Sequence, residues 1–386
     1  MLENVFHGSK KYWVWMIFLV IIVGLGTAAF MYQFWEGLGV TGMNRDVTWG
    51  FYIAQFTFLV GVAASAVMVV LPYYLHNYKK FGKITILGEF LAIGSVIMCM
   101  TFIFVDMGQP HRIMNVFIHP SPKSPMFWDS VSLMGYLILN VIISRYSLDA
   151  EKKGIAPPNW LRPIIIISIP WAVSIHTVTA FLYSGLAARP FWMSAIMAPR
   201  FLATAFAAGP ALLIIICLYL KKISNFNVGK EPLQKLALIA TYAMLLNVFF
   251  LLLELFTAFY SGMSHHIDHF KFLYVGLHGN YSLVPFMWLS TILAVVAIIM
   301  TLVPKWRKGE NTMLVAMIAI FLSIWLDKGL GMIVAGFTPN TLGYVVDYWP
   351  TGIELLISLG IFAMGILIIT GLYKIALTVR RELKPY

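Results

Sequence analysis

The stretch PWAVSIHTVTAFLYSGLAARPFWMSAIMAPRF, residues 170–201, decides the fold. It opens as an apolar helix carrying one histidine, His176, and continues into an aromatic segment, read as a hairpin, between Arg189 and Arg200. A helix that is apolar nearly all round must be enclosed on every side, and a bilayer encloses it. There the stretch places one titratable group at depth and two cations beside aromatic rings, a combination that points to chemistry at a bilayer surface.

The rest of the chain supports that setting. Of its 386 residues 60% are hydrophobic and 11% charged, and the mean hydropathy is +0.83, which excludes an ordinary soluble domain. Lipid offers the backbone no hydrogen-bond partners, so each crossing takes about 20 apolar residues in a self-satisfied helix. Ten segments qualify, near residues 12–35, 49–76, 84–106, 125–146, 161–187, 199–221, 233–260, 282–303, 311–335 and 350–378. The expected fold is therefore an all-α integral membrane protein of the cell membrane with ten transmembrane spans.

The formal charge of +11 calls for no nucleic acid, because its distribution explains it. One set of connections holds only Arg45, Arg112, Lys123, Arg189, Arg200 and Lys271, and Lys328 falls inside a span. Every other Lys and Arg lies at the termini or on the alternate connections, so the positive-inside bias puts both termini in the cytoplasm. Cys99 and Cys217 sit in apolar spans without partner spacing and read as packing residues.

A weak repeat relates FLVGVAASA (58–66) to FLATAFAAG (201–209), and PMFW (125–128) to PFMW (285–288). It suggests two four-helix bundles, spans 2–5 and 6–9, flanked by spans 1 and 10, although small residues that let helices approach closely would produce the same likeness. The corresponding regions are 1–48, 49–187, 188–335 and 336–386.

Ionisable groups at membrane depth are few: Glu89, Asp106, Asp129, His176, Glu254, Asp327, Lys328 and Glu354. At a rise of about 1.5 Å per residue, Asp106, Asp129, Glu254 and Glu354 fall toward the outer face, His176 near or just beyond the midplane, and Glu89 toward the inner face. His176 either satisfies a neighbouring helix or exchanges a proton with a carbonyl headgroup. Glu354 is expected to pair with Lys328, whereas Asp327 and Lys328, as neighbours on one helix, are not expected to pair with each other. The loop DMGQPHR (106–112) and the following SPMFWD (124–129) gather Asp106, His111, Arg112, Trp128 and Asp129 at the outer surface. Arg112, Arg189 and Arg200 depart from the charge bias and suit an acidic partner surface or facing carboxylates. The spacing of His265, His266 and His269 in HHIDH could bind a metal, but the segment is short and lacks a fourth ligand, so no metal site is expected. With one clearly intramembrane histidine, no cysteine cluster and no phosphate or dinucleotide fingerprint, no haem, iron–sulfur or other resident cofactor is expected.

WGFYIAQFTFLVGVAASA (49–66), DMGQPHR, SPMFWD and SIHTVTAFLYSGLAARPFW (174–192) together resemble the NrfD and polysulfide-reductase-type membrane subunits. With ten spans and the pattern ARPFW…APRFLATA (188–205), the likeness is nearest to the DsrP and HmeB-type subunits of sulfate-reducer respiratory complexes. The resemblance implies a subunit without cofactors of its own that exchanges electrons between menaquinone, as bound substrate, and a ferredoxin-like iron–sulfur subunit on the outer face. It also implies a membrane cytochrome b, a cytoplasmic heterodisulfide-reductase-like iron–sulfur protein and a multihaem cytochrome c as further partners. By motif, His176, Asp106, Arg112 and Asp129 match the region lining the quinone pocket.

Residue chemistry agrees on the location. Quinone turnover moves two electrons and two protons, and so needs an apolar pocket, hydrogen bonds at the ring oxygens and a titratable route to water. The expected reacting groups are His176, Asp106 and Glu254. Arg112, Trp128, Asp129, Tyr183, Arg189 and Trp192 line the pocket with His176, and a proton path runs from Glu89 to His176. Two other classes fit the same pattern: a secondary transporter, and a passive anchor for redox subunits.

Overall fold

The structure, a computed structural model, describes residues 2–74, 76, 78–224 and 226–382. Ten of its helices are long and apolar enough to cross a membrane: Lys10–Glu36 (helix 1), Phe51–Tyr74 (helix 2), Lys79–Asp106 (helix 3), Pro125–Lys153 (helix 4), Leu161–Ser184 (helix 5), Met197–Ser224 (helix 6), Lys230–Tyr260 (helix 7), Val284–Leu302 (helix 8), Glu310–Phe337 (helix 9) and Gly352–Arg380 (helix 10). Among the described residues there is no strand, only a bridge between Leu277 and Asn280.

Local chemistry sets the ends of these helices. The Ser9 hydroxyl accepts the Tyr12 N–H at the start of helix 1. Pro125 opens helix 4, where its missing N–H would have had no partner, and Gly154, at φ 64°, closes it in the left-handed region that favours glycine. The alternating run makes two faces: a basic face, with Lys79, Lys80, Lys83, Lys221, Lys222 and Lys305, and a loop face, with the connections 37–50, 107–124, 185–196, 261–283 and 338–351.

Helix 2 lies at the centre. Every residue of Phe51–Ala63 is buried, and the helix packs on helices 3, 5, 6 and 9. Helices 3, 4 and 5 pack in sequence, as do 6 and 7 and, on the far side, 8 and 9, with helix 9 also against helix 6. Helix 1 docks on helix 10, which in turn lies on helix 3. The two small-residue stretches meet each other: a Cβ on Gly61 would lie 3.5 Å from Ala205 Cα, and one on Gly209 only 2.8 Å from Ser65 N. Small residues on both stretches permit this close approach of helices 2 and 6.

Three features depart from the expected pattern. Helix 2 breaks at residues 64–66, where Tyr136 Oη donates to the freed Ala63 carbonyl and Ser65 Oγ to Gly88 O. Tyr136 of helix 4 thus satisfies a carbonyl that lipid could not, while Ser65, at the break itself, ties helix 2 to helix 3. Helix 9 widens into a π-turn over Trp325–Gly331, the segment that carries Asp327 and Lys328. The expected hairpin at residues 189–200 is instead a short 3-10 turn, Pro190–Trp192, leading into helix 6, and Arg200 lies inside that helix.

Candidate functional site

Buried polarity concentrates in the half of the bundle nearest the loop face. Arg200 of helix 6 is 9% exposed and binds two carboxylates, donating from Nη1 to Glu254 at 2.8 Å on helix 7 and from Nη2 to Asp327 at 2.7 and 2.9 Å on helix 9. Asp327 sits on the π-turn of helix 9. Of the two roles open to Arg200, the structure shows the one with facing carboxylates, so this cation does not belong to an outer docking surface. Glu254, expected to pass protons, is held in this triad.

Lys328 follows Asp327 but points elsewhere. Its Nζ lies 4.1 Å from the centre of the Phe201 ring and has no hydrogen-bond partner. The expected pair with Glu354 is not formed. Glu354 is fully buried at the start of helix 10, where it accepts from Tyr348 Oη at 2.7 Å, Gly42 N at 2.7 Å and Thr351 N at 2.9 Å. Depth alone had matched the two residues, whereas their helices face different neighbours. Burial, and next the Glu354 charge, hold the Tyr348 phenol well above its ordinary range.

His176 lies on helix 5 with no exposure, and neither ring nitrogen has a hydrogen-bond partner. One turn on, the Thr179 hydroxyl is 2.6 Å from Asp129 Oδ1 of helix 4, and the next turn brings Tyr183 to a hydrogen bond with Thr57 of helix 2. Tyr183 begins an aromatic cluster: its ring lies 5.1 Å from Trp192, which stacks on Trp49 at 5.9 Å and meets Phe337 edge-on at 5.1 Å. Trp192 Nε1 donates to Met332 O, and bare Gly336 gives the indole its space, since a Cβ there would collide with the ring. Arg189 caps the cluster, its guanidinium 4.3 Å above Phe337, where burial lowers its pKa.

Other expected contacts are further apart. Trp128 is 49% exposed, on the outer surface of helix 4, with its indole N–H bound to Pro122 O, while its neighbour Asp129 faces inward. Successive helix residues point about 100° apart, so the two do not share a pocket wall. Arg112 is likewise exposed. Asp106 ends helix 3 with one buried, unpartnered oxygen, within electrostatic reach of Glu354. Glu89, on the basic half of helix 3, is 1% exposed with both carboxylate oxygens unpartnered.

The HHIDH segment forms part of a short helix, Ser264–Tyr274. His269 turns inward, with Nδ1 3.1 Å from Thr338 O and its ring 5.2 Å from Phe191, and burial pushes its pKa down to about 4. His265 is exposed beside a cavity of about 310 Å³ among the loops, lined also by Asp268, His269 and His278. Among the described residues no three His, Cys, Asp or Glu side chains gather as a metal site.

Residues that sequence reasoning passed over include Thr57 and Thr179, and Gln55, whose Oε1 accepts from Trp325 of the π-turn at 2.7 Å while its Nε2 has no partner. A polar residue within an otherwise apolar span was the available signal. Gln55, His176 and Lys328 each keep an unpartnered nitrogen in the buried core, where Lys328 lies over Phe201 and the Phe201 ring lies 5.8 Å from that of Tyr183.

Ten helices long and apolar enough to cross a membrane define a multi-pass integral protein of the cell membrane. The family model for NrfD, polysulphide reductase, matches residues 39–337, and the chain belongs to that family. Its relatives include a putative membrane subunit of dimethyl sulfoxide reductase from Halobacterium salinarum, 25% identical over 92% of this chain and 89% of that one. The Hdr-like menaquinol oxidoreductase integral membrane subunit of Archaeoglobus fulgidus is 24% identical over 97% and 96% of the two chains. A selenate reductase subunit of Mesobacillus selenatarsenatis is 21% identical over 93% and 92%.

Proposed function

We propose that this chain is the quinone-binding membrane subunit of a respiratory oxidoreductase complex, exchanging electrons between menaquinone and an iron–sulfur partner docked on the loop face. The observation that carries the reading is His176: an imidazole with no exposure and two unpartnered nitrogens, one turn from Thr179 and Asp129. Such a group calls for a ligand oxygen, and imidazole can also accept or give the proton that quinone chemistry moves. The relative named a menaquinol oxidoreductase subunit supports the choice of substrate.

In this reading the basic face is cytoplasmic, as are both termini, and the loop face is outer. Tyr183 and Trp192 pack beside the ring, Asp129 and Asp106 lie toward the outer water, Glu254 passes protons by way of the Arg200 triad, and Arg112, Trp128 and Arg189 serve the docking face. Glu89 starts a proton path from the cytoplasmic side to His176. The complex would serve sulfite- or sulfate-linked electron transport, with a membrane cytochrome b, a heterodisulfide-reductase-like iron–sulfur protein and a multihaem cytochrome c as further partners.

The test is purification of the intact complex from its membrane, extraction of bound quinone, and quinol-linked electron transfer with His176→Ala. Menaquinone in the wild-type complex and a loss of about 10²-fold or more in the variant, typical of removing a general acid or base, are expected. An assembled variant with wild-type turnover would refute the role of His176. Partners without quinone would mean a passive anchor.

A further inference from the structure

Lys328 is a buried cation with no carboxylate in contact with it. It is 3% exposed, Nζ has no hydrogen-bond partner, and Nζ lies over the Phe201 ring and close to the bare backbone of Gly61, whose missing Cβ would stand 3.4 Å away. The acid next to it is committed, because Asp327 and Glu254 both bind Arg200. The other titratable groups around it are His176 of helix 5, Cys99 of helix 3 and Arg200 of helix 6, none of them a carboxylate. A ring face offers an ammonium some attraction but satisfies none of its three N–H donors.

The π-turn organises a second donor in the same way. Trp325, three residues before Lys328, holds Gln55 by its carbonyl oxygen and leaves the Gln55 amide N–H₂ without an acceptor. Burying nitrogen donors unpaired is costly in apolar surroundings, and an arriving acceptor relieves that cost. Acceptor oxygens on an apolar ring, one of which gains negative charge, satisfy both.

We propose that Lys328 is the cation that binds the anionic form of the quinone ring, with Gln55 donating to the same substrate. The inference rests on the quinone reading and adds to it a residue and a chemical state. Oxidation of a quinol releases two electrons to the iron–sulfur partner and two protons. Loss of the first proton, to His176, leaves a ring monoanion whose charge faces Nζ. The second proton follows to the same imidazole once the first has been discharged, and the neutral quinone then leaves. A preorganised buried cation favours the charged species without reorganising at the moment of reaction.

The experiment uses the intact complex with Lys328→Met, Lys328→Arg and Gln55→Leu. Three quantities are read: bound quinone content, the midpoint potential of that quinone, and kcat and KM for a short-chain quinol analogue across pH. In Lys328→Met quinone is still bound, the reduced form is favoured at least tenfold less, which lowers a two-electron midpoint by about 30 mV, and kcat falls more than KM rises. Lys328→Arg recovers part of both effects. Wild-type potential and kcat in Lys328→Met overturn the proposal. If that variant does not assemble, Lys328→Arg and Gln55→Leu decide on the same two readouts, and unchanged values in both overturn it. A wild-type complex that neither holds quinone nor turns over the analogue defeats the quinone reading itself, and the inference with it.

Discussion

Arg200 shows how far a single residue can be read before its neighbours are known. Its position among few loop-side cations marked it as unusual, but the choice between an outer partner and facing carboxylates needed helices 7 and 9 in place. Both of its carboxylate partners are about one-tenth exposed. Replacing Arg200 with Met leaves two carboxylates near each other without a cation, and breaking a buried pair in this way costs about 3–5 kcal/mol. The expected outcome is a marked fall in the thermal unfolding temperature of the detergent-solubilised protein, partly restored in the double variant Arg200→Met/Asp327→Asn. The Lys328–Glu354 pairing failed for the same reason. Sequence gives depth along a helix well, but the azimuth that decides which neighbour a side chain meets comes from packing.

At the scale of the helix, length and apolarity made all ten spans legible, since the lipid imposes both. What stayed hidden were the break in helix 2 and the π-turn in helix 9, where the backbone departs from regular α-helix without a proline at the point of change. Pro170 and Pro210, which do announce themselves, lie within continuous helices. Small residues were legible as contact points but not as to partner. Gly26 of helix 1 meets Gly360 of helix 10, a Cβ on Gly26 falling 2.6 Å from Gly360 Cα, whereas a Cβ on Gly24 would meet nothing within 4 Å. Both substitutions gain the same helix propensity, so comparing them isolates the contact. Gly26→Ala should destabilise by about 1–3 kcal/mol through overpacking, and Gly24→Ala should be neutral or slightly stabilising, as thermal melts in detergent would record. Equal melts for the two would mean that the helix 1–helix 10 contact can yield.

Across the whole molecule, the loop face carries the features that respond to the surrounding water. His269 is buried beneath it, and its folded pKa of about 4 lies below the ordinary value of 6.5. The unfolded chain therefore takes up the proton first, so this residue's contribution to stability is fully present above about pH 6.5 and is lost as pH falls toward about 4. Replacing His269 with Phe should flatten the pH dependence of unfolding between those limits relative to wild type, and an unchanged slope would assign the acid sensitivity elsewhere. Family membership was legible from motifs, and one of them, DMGQPHR, carries Asp106, an acid with a buried oxygen on the loop side of the bundle. The interior around Gln55 and Lys328 was not, because it is assembled from residues far apart in sequence.

The docking of helix 1 on helix 10 has a consequence for the making of the protein. Eight spans separate the two in the chain, so helix 1 leaves the ribosome and enters the bilayer long before its partner exists. Through that interval the groove at Gly26 faces lipid or an insertion chaperone, and the bundle stays open along the edge that helix 10 later closes. A chain lacking helix 10 thus differs from a finished one by whether that edge is covered.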